Sequence, residues 1–204
     1  METREQIIEI ATKAFLHYGF KNVTVDEIAR QAGISKKTLY QEFSKKDDLV
    51  LASVETYNER HWEEMLEIMG ASKNAIEELV GVFIHMAKMF KGMNPVCFVD
   101  LQRYYASAFK YMEHFKQTKL HDCIKENLDR GIEEGLFREN INSSIIATYR
   151  MESVFMLMHA GIFPKREFDL VEINKQIFEL YMFGISTLKG HKLITKYLSN
   201  LQKK

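Results

Sequence analysis

Proline occurs twice and glycine ten times in 204 residues. So few breakers argue against a chain of short strands and turns and favour long uninterrupted helices. Cysteine is as scarce. Cys97 and Cys123 stand alone, with no Cys-x-x-Cys or Cys/His spacing, which excludes a disulfide framework or a zinc ribbon. Cys123 shares a helical face with Leu120, Ile124 and Leu128 and reads as a buried free thiol. The formal net charge is zero, so the whole chain exerts no general pull on nucleic acid. No apolar run reaches the roughly 18 residues of a membrane span, and no charged-then-apolar start marks a signal peptide; the expected compartment is the cytoplasm. A Gly-rich phosphate loop and a Ser-His-Asp or Cys-His set in supportive context are missing too. The seven histidines make no ligand set, since His114 and His121 lie two helical turns apart. No enzyme, cofactor or metal site is expected.

What is present is concentrated at the N-terminus. Thr3 with Gln6 opens a helix whose apolar stripe is Ile7, Ala11, Ala14, Phe15 and Tyr18, and Gly19 ends it. Thr24 with Glu27 forms a second capping box, flanked by Val23 and Ile28 at staple positions, and that short helix stops at Gly33. Ser35 caps a third helix, Lys36 to Phe43. Ser44 with Asp47 caps a long fourth one carrying Leu49, Val50, Val54 and Tyr57 and closed by Gly70. Residues 1 to 46 hold eight Lys/Arg against six acids, with the basic residues gathered after position 35.

The second and third helices have helix-turn-helix proportions. Ala29 is small where the helices approach, Gly33 permits the turn, Ile34 fills the space between them and Leu39 anchors the third helix. The opposite face then offers Lys36, Lys37, Thr38 and Gln41 to a major groove. Hydroxyls, lysines and backbone N–H groups at helix starts grip phosphates, which points to Thr24, Ser35 and Lys46. Tyr40 is left exposed because Leu39 and Phe43 already take the core positions. One such helix touches too few bases to define a unique site, so a two-fold dimer on palindromic double-stranded DNA is required.

The stretch VTVDEIARQAGISKKTLYQEFSKKDDLV, with the preceding FLHYGF, resembles the DNA-binding region of the tetracycline-repressor (TetR) family over roughly residues 5 to 51. The resemblance implies an obligate homodimer that represses transcription until a small molecule binds its helical body. It also implies phosphate contacts from Tyr40 and Lys46, with Lys36, Lys37 and Thr38 near base edges. Gln41 and Glu42 depart from the family pattern, which often has His or Tyr after the motif tyrosine and His before the phenylalanine. Gln41 can still bond a phosphate or an adenine edge. Glu42 would repel phosphate and is expected to point away or to pair with a lysine.

The fold expected is all-α: a three-helix helix-turn-helix head over residues 1–47 and a helical ligand-binding and dimerisation domain over 48–204. Segments 76–91, 96–111, 114–135, 143–160 and 168–188 read as helices buried on several sides, with a last turn or two in 193–201. Their Met and aromatic residues are consistent with plain core as well as with an adaptable pocket. What raises a pocket is the resemblance, which implies an unidentified small-molecule effector among Phe83, Met86, Phe90, Phe98, Leu101, Tyr104, Tyr105 and Phe155. Arg150, Glu152 and His159 form a polar group in an apolar helix, suited to orienting a ligand or to pairing across an interface. Ile173, Ile177, Tyr181, Gly184 and Leu188 form a stripe, which assigns the homodimer contact to helices 143–160 and 168–188. A constitutive DNA-binding regulator and a helical ligand- or lipid-binding module remain the alternatives.

Overall fold

A computed structural model of the chain describes residues 3–156 and 170–201. Its helices are α1 (Thr3–Tyr18), α2 (Val25–Ala32), α3 (Lys36–Glu42), α4 (Lys46–Ala71), α5 (Ala75–Phe90), α6 (Val96–Tyr104), α7 (Ala106–Phe115), α8 (His121–Glu133), α9 (Ser143–Met156), α10 (Leu170–Ile185) and α11 (Leu188–Leu201). The all-helical architecture is as the sequence implies, and no described helix is long and apolar enough to cross a membrane. Residues Leu157, Met158, His159 and Pro164 lie outside the described residues.

Several boundaries differ from expectation for local reasons. The segment expected as one helix over 96–111 is two, because Tyr105 leaves the helical region (φ −129°, ψ 67°) between α6 and α7. The segment expected over 114–135 takes in the end of α7, then a π-helical turn, Lys116–Leu120, that leads into α8. α4 starts at Lys46, two residues after Ser44, and runs one residue past Gly70. Three caps were not foreseen: the side-chain oxygens of Asn74, Asn94 and Asn142 accept the backbone N–H groups of Glu77, Val96 and Ile145 at 2.9, 3.1 and 3.1 Å.

The chain groups into two compact units, residues 1–63 with 89–115 and residues 64–88 with 116–204. In the first, Ile7, Phe15, Ile28, Leu39, Phe43 and Leu49 are wholly or nearly wholly buried. Cys97, Leu101, Tyr105 and Ala108 join the same core. Burying each Leu, Ile or Phe side chain contributes about 1.5–3 kcal/mol, so a head of three short helices gains its stability here rather than from helix propensity.

The second unit is built on Ile76, Leu128, Phe137, Ala147, Phe178, Met182 and Ile194. Phe83 and Phe178 stack with centroids 3.9 Å apart. The chain after α8 pairs with the α10–α11 junction: Arg138 N–H donates to Ile185 O and Thr187 N–H to Leu136 O, both at 2.9 Å. Gly131 is required there, since any Cβ at that position would overlap the Phe137 ring.

Candidate functional site

The head's two short helices are fixed at both ends. The Thr24 N–H and hydroxyl donate to Glu27 Oε2 at 2.7 and 2.9 Å, and Glu27 N–H donates back to Thr24 Oγ1 at 3.2 Å. These bonds, the backbone one foremost, hold the Glu27 carboxyl below its ordinary pKa. Gly33 adopts φ 67° and ψ 27°. Its N–H reaches Arg30 O at 3.2 Å, and Ile34 N–H reaches Ala29 O at 3.0 Å, a Schellman closure that fixes the angle at which the chain enters α3. Ser35 Oγ then accepts Thr38 N–H at 3.0 Å.

With Leu39 wholly buried, α3 presents Lys36, Lys37, Tyr40 and Gln41 to solvent, with Thr38 half-buried at the rim. Thr24 and Ser35 are exposed at the starts of α2 and α3. Lys36 pairs with Asp26 at 2.8 Å in the open, a contact that water weakens. Glu42 is exposed, and its backbone carbonyl accepts from Arg4 at 2.8 Å, so Arg4 ties the start of α1 to the end of α3.

Lys46 was expected to face phosphate. Its ammonium instead donates to Phe20 O at 2.6 Å and reaches Lys21 O at 3.3 Å, and burial pulls its pKa down. The same turn is gripped by α6 and the residue after it. Buried Asp100 accepts Lys21 N–H at 2.9 Å, and Tyr105 OH donates to Phe20 O at 3.1 Å, with burial pushing the tyrosine to about 12. Gly19 at φ 90° permits the contact, because a Cβ there would sit 2.7 Å from Val96 Cγ1.

Five of the eight residues expected in a pocket lie instead in this first unit. Phe98 is buried in the first unit, Leu101 and Tyr105 belong to its core, and Tyr104 is exposed with its hydroxyl 3.1 Å from Lys21 Nζ. Phe90, half-buried at the end of α5, belongs to that unit too. The physical cause is the break at Tyr105, which lets α6 serve the head rather than continue into a longer helix.

Phe83, Met86 and Phe155 do meet, on the wall of a cavity of about 80 Å³ in the second unit. Met65, Met151 and Phe178 share that wall, and its polar groups are Glu78, Asn127 and Arg150. Glu78 and Asn127 were missed, although Glu78 stands three residues after Ala75 and four before Val82, on the apolar stripe of α5. Its carboxylate accepts from Arg130 Nη1 at 2.9 Å, and burial pushes its pKa up. Arg150 and Glu152 do not form one cluster. Glu152 is exposed and pairs with Lys116 at 2.9 Å, whereas Arg150 is buried with its guanidinium 5.3 Å from the Phe178 ring centre. His159 lies outside the described residues. Cys123, as expected, is a buried free thiol, and burial raises it to about 12.

Comparison with known proteins agrees with this geometry. Residues 7–53 match the family model described as bacterial regulatory proteins, tetR family. The HTH-type transcriptional repressor KstR2 of Mycobacterium tuberculosis is 24% identical over 187 residues, 90% of this chain and 92% of that one. The HTH-type transcriptional regulator TtgR of Pseudomonas putida is 40% identical over 60 residues, 29% of each chain. Among solved structures, the transcriptional regulator FadR of Bacillus subtilis in complex with stearoyl-CoA superposes with a TM-score of 0.71 at 21% identity, covering 89% of this chain and 98% of that one.

Proposed function

This chain belongs to the TetR family of DNA-binding transcriptional regulators, not enzymes, and on that premise we propose that it is a cytoplasmic repressor acting as a homodimer on palindromic DNA and released by a small amphipathic effector. The observation that carries the reading is the doubly capped pair α2–α3, whose outer face bears Lys36, Lys37, Tyr40 and Gln41 while Leu39 is locked beneath it. Such a helix enters the major groove as a rigid body. Lys36, Lys37, Thr38 and Gln41 read bases, while Thr24, Ser35 and Tyr40 grip phosphate. Lys46 acts at one remove, by holding the Phe20–Lys21 turn in place.

Dimerisation is assigned to α9 and α10. Ile173 and Tyr181 of the expected stripe are buried in the second unit's own packing and Ile177 is half-buried, but Ile145, Tyr149, Leu180 and Leu188 are exposed apolar side chains and Gly184 has open space above it. An apolar surface of this kind on a regulator that needs two heads suits a partner copy. The effector site is the cavity at Phe83, Met86 and Phe155. Among relatives matched over most of their length, KstR2 is named a transcriptional repressor and the B. subtilis relative a fatty acid metabolism regulator, and the FadR structure holds stearoyl-CoA. An effector that favours a different body conformation weakens DNA binding, and DNA weakens effector binding by the same factor.

The test is titration of the purified protein against its own upstream DNA and a scrambled duplex at several salt concentrations. Tight binding of two protomers to the palindrome is expected. Lys46→Ala should weaken binding to every sequence alike, while Lys37→Ala and Thr38→Ala should relax base preference. Equal, weak binding to both duplexes that vanishes with salt would sink the reading.

A further inference from the structure

Arg150 stands out among the polar groups of the second unit. It sits on α9, only 8% exposed, on the wall of the cavity. Its Nη1 is buried with no hydrogen-bond partner among the described residues. The guanidinium carbon lies 5.3 and 5.1 Å from the ring centres of Phe178 and Tyr181, so its nearest cation–π neighbours are aromatic rings, which offer Nη1 no hydrogen-bond acceptor. Desolvation lowers its pKa, and the ionisable groups acting on it are the hydroxyls of Tyr181 and Tyr149, not a carboxylate. The acid on the same wall, Glu78, is committed to Arg130, which Glu134 also engages at 2.8 Å. A guanidinium cannot escape by losing its proton, and a buried charge without an acceptor is strongly unfavourable.

From this we infer that the cavity takes a monocarboxylate with an apolar chain, its carboxylate accepting from Arg150 and its chain lying against Phe83, Met86, Met151 and Phe155. The inference rests on the effector reading above and names its chemical class. A planar guanidinium edge matches a carboxylate in two parallel hydrogen bonds. A single charge suits the site better than a phosphate dianion, because Glu78 shares the wall. The remainder of the lining is almost wholly apolar and includes Met65, Met86 and Met151. At about 80 Å³ the cavity is smaller than the roughly 150 Å³ that accommodates benzene in an engineered core. A chain of several carbons therefore enters by displacing methionine side chains, whose three rotatable bonds make that displacement mild.

Octanoate, 1-octanol and octyl phosphate, titrated calorimetrically into the full-length protein, separate the possibilities. Octanoate should bind at least about tenfold tighter than octanol and tighter than octyl phosphate. Arg150→Met should erase the octanoate–octanol gap and raise the melting temperature of the ligand-free protein, since it removes a buried unpaired charge. Arg150→Lys should keep part of the gap. Octanol binding as well as octanoate to the native protein, octyl phosphate binding best, no binding of any, or a gap that survives in Arg150→Met would each overturn the inference. Operator release is measured in parallel, with Trp62 as the fluorophore. Octanoate that binds with the expected gap but leaves DNA affinity unchanged refutes the effector reading and spares the carboxylate site. Octanoate and octanol that release DNA equally do the reverse.

Discussion

The two units treat their polar groups differently. In the first, the groups that shape the head are answered one by one: Thr24 by Glu27, Ser35 by Thr38, Asp100 by the Lys21 N–H, and Tyr105 and Lys46 by the Phe20 carbonyl. Ser53 Oγ is the buried exception there among the described residues. In the second, Arg150 Nη1, the Tyr181 hydroxyl and the Ser186 hydroxyl are all buried without a partner among the described residues. Each such group costs about 1–3 kcal/mol, more where it is charged. A surface that reads DNA has one working geometry, and saturating its hydrogen bonds fixes that geometry. A unit that responds to a ligand needs at least two states of similar free energy, and unanswered polar groups narrow the gap between them.

The largest effect that separates the units comes from Phe137, which is 1% exposed and fills the space left by Gly131. Phe137→Ala should destabilise the second unit by about 3–5 kcal/mol. Hydrogen exchange should then show faster opening at Ala147 and Ile194, with the amides of Ile28 and Leu39 keeping their protection. Loss of protection at all four together would mean that the units open as one, and the contrast between them would carry no energetic meaning.

The head was legible in the sequence because its signals are local. A threonine and a glutamate three residues apart, a glycine after a helix and a buried leucine on a short helix each act within a few residues, and the observed caps at Thr24, Gly33 and Ser35 fall where those residues stand. Phe83, Met86 and Phe155, expected in a pocket from the resemblance, line one cavity wall. What was not legible depends on partners far along the chain. Nothing near Tyr105 announces that its hydroxyl reaches the Phe20 carbonyl or that Leu101 joins the head's core, and nothing near Lys46 announces a carbonyl 26 positions earlier. Arg150 and Glu152 are two residues apart and so were grouped. Residues at that spacing point to different sides of a helix, and one faces the cavity while the other meets Lys116.

A smaller effect probes the saturated side of the contrast. Thr24→Ala deletes the hydroxyl that accepts Glu27 N–H at 3.2 Å and donates to its carboxylate at 2.9 Å. A lost N-cap of this kind costs about 1 kcal/mol. Thermal melting should fall accordingly, and operator affinity should fall with it because α2 sets the angle of α3. Thr24→Ser, which restores an acceptor, should recover most of the stability. Octanoate affinity should be unchanged in both, and a drop there would show that the head's caps support the cavity as well.

The smallest effect is a matter of pH, and the two units should show opposite signs. In the head, hydrogen bonds from Thr24 hold Glu27 below the ordinary carboxylate value of 4.5. The unfolded chain then binds more protons than the folded one, so this contribution is complete above 4.5 and is lost as pH falls through the folded value. In the second unit, burial raises Glu78 above 4.5 against the pull of Asn127 and Arg130. There the folded state holds the proton longer, so stability is greatest at or below 4.5 and declines as pH rises through the raised value. Glu27→Gln keeps the capping box, since glutamine serves at that position, yet it cannot titrate; it should flatten the melting temperature on the acid side of 4.5. Glu78→Gln still accepts from Arg130 and should flatten the side above. Glu27 is exposed and screened by water, so its slope should be the shallower of the two. If both substitutions altered the same side of 4.5, the polar groups of the two units would be under the same strain, and the distinction between a saturated reader and an unsaturated sensor would fail.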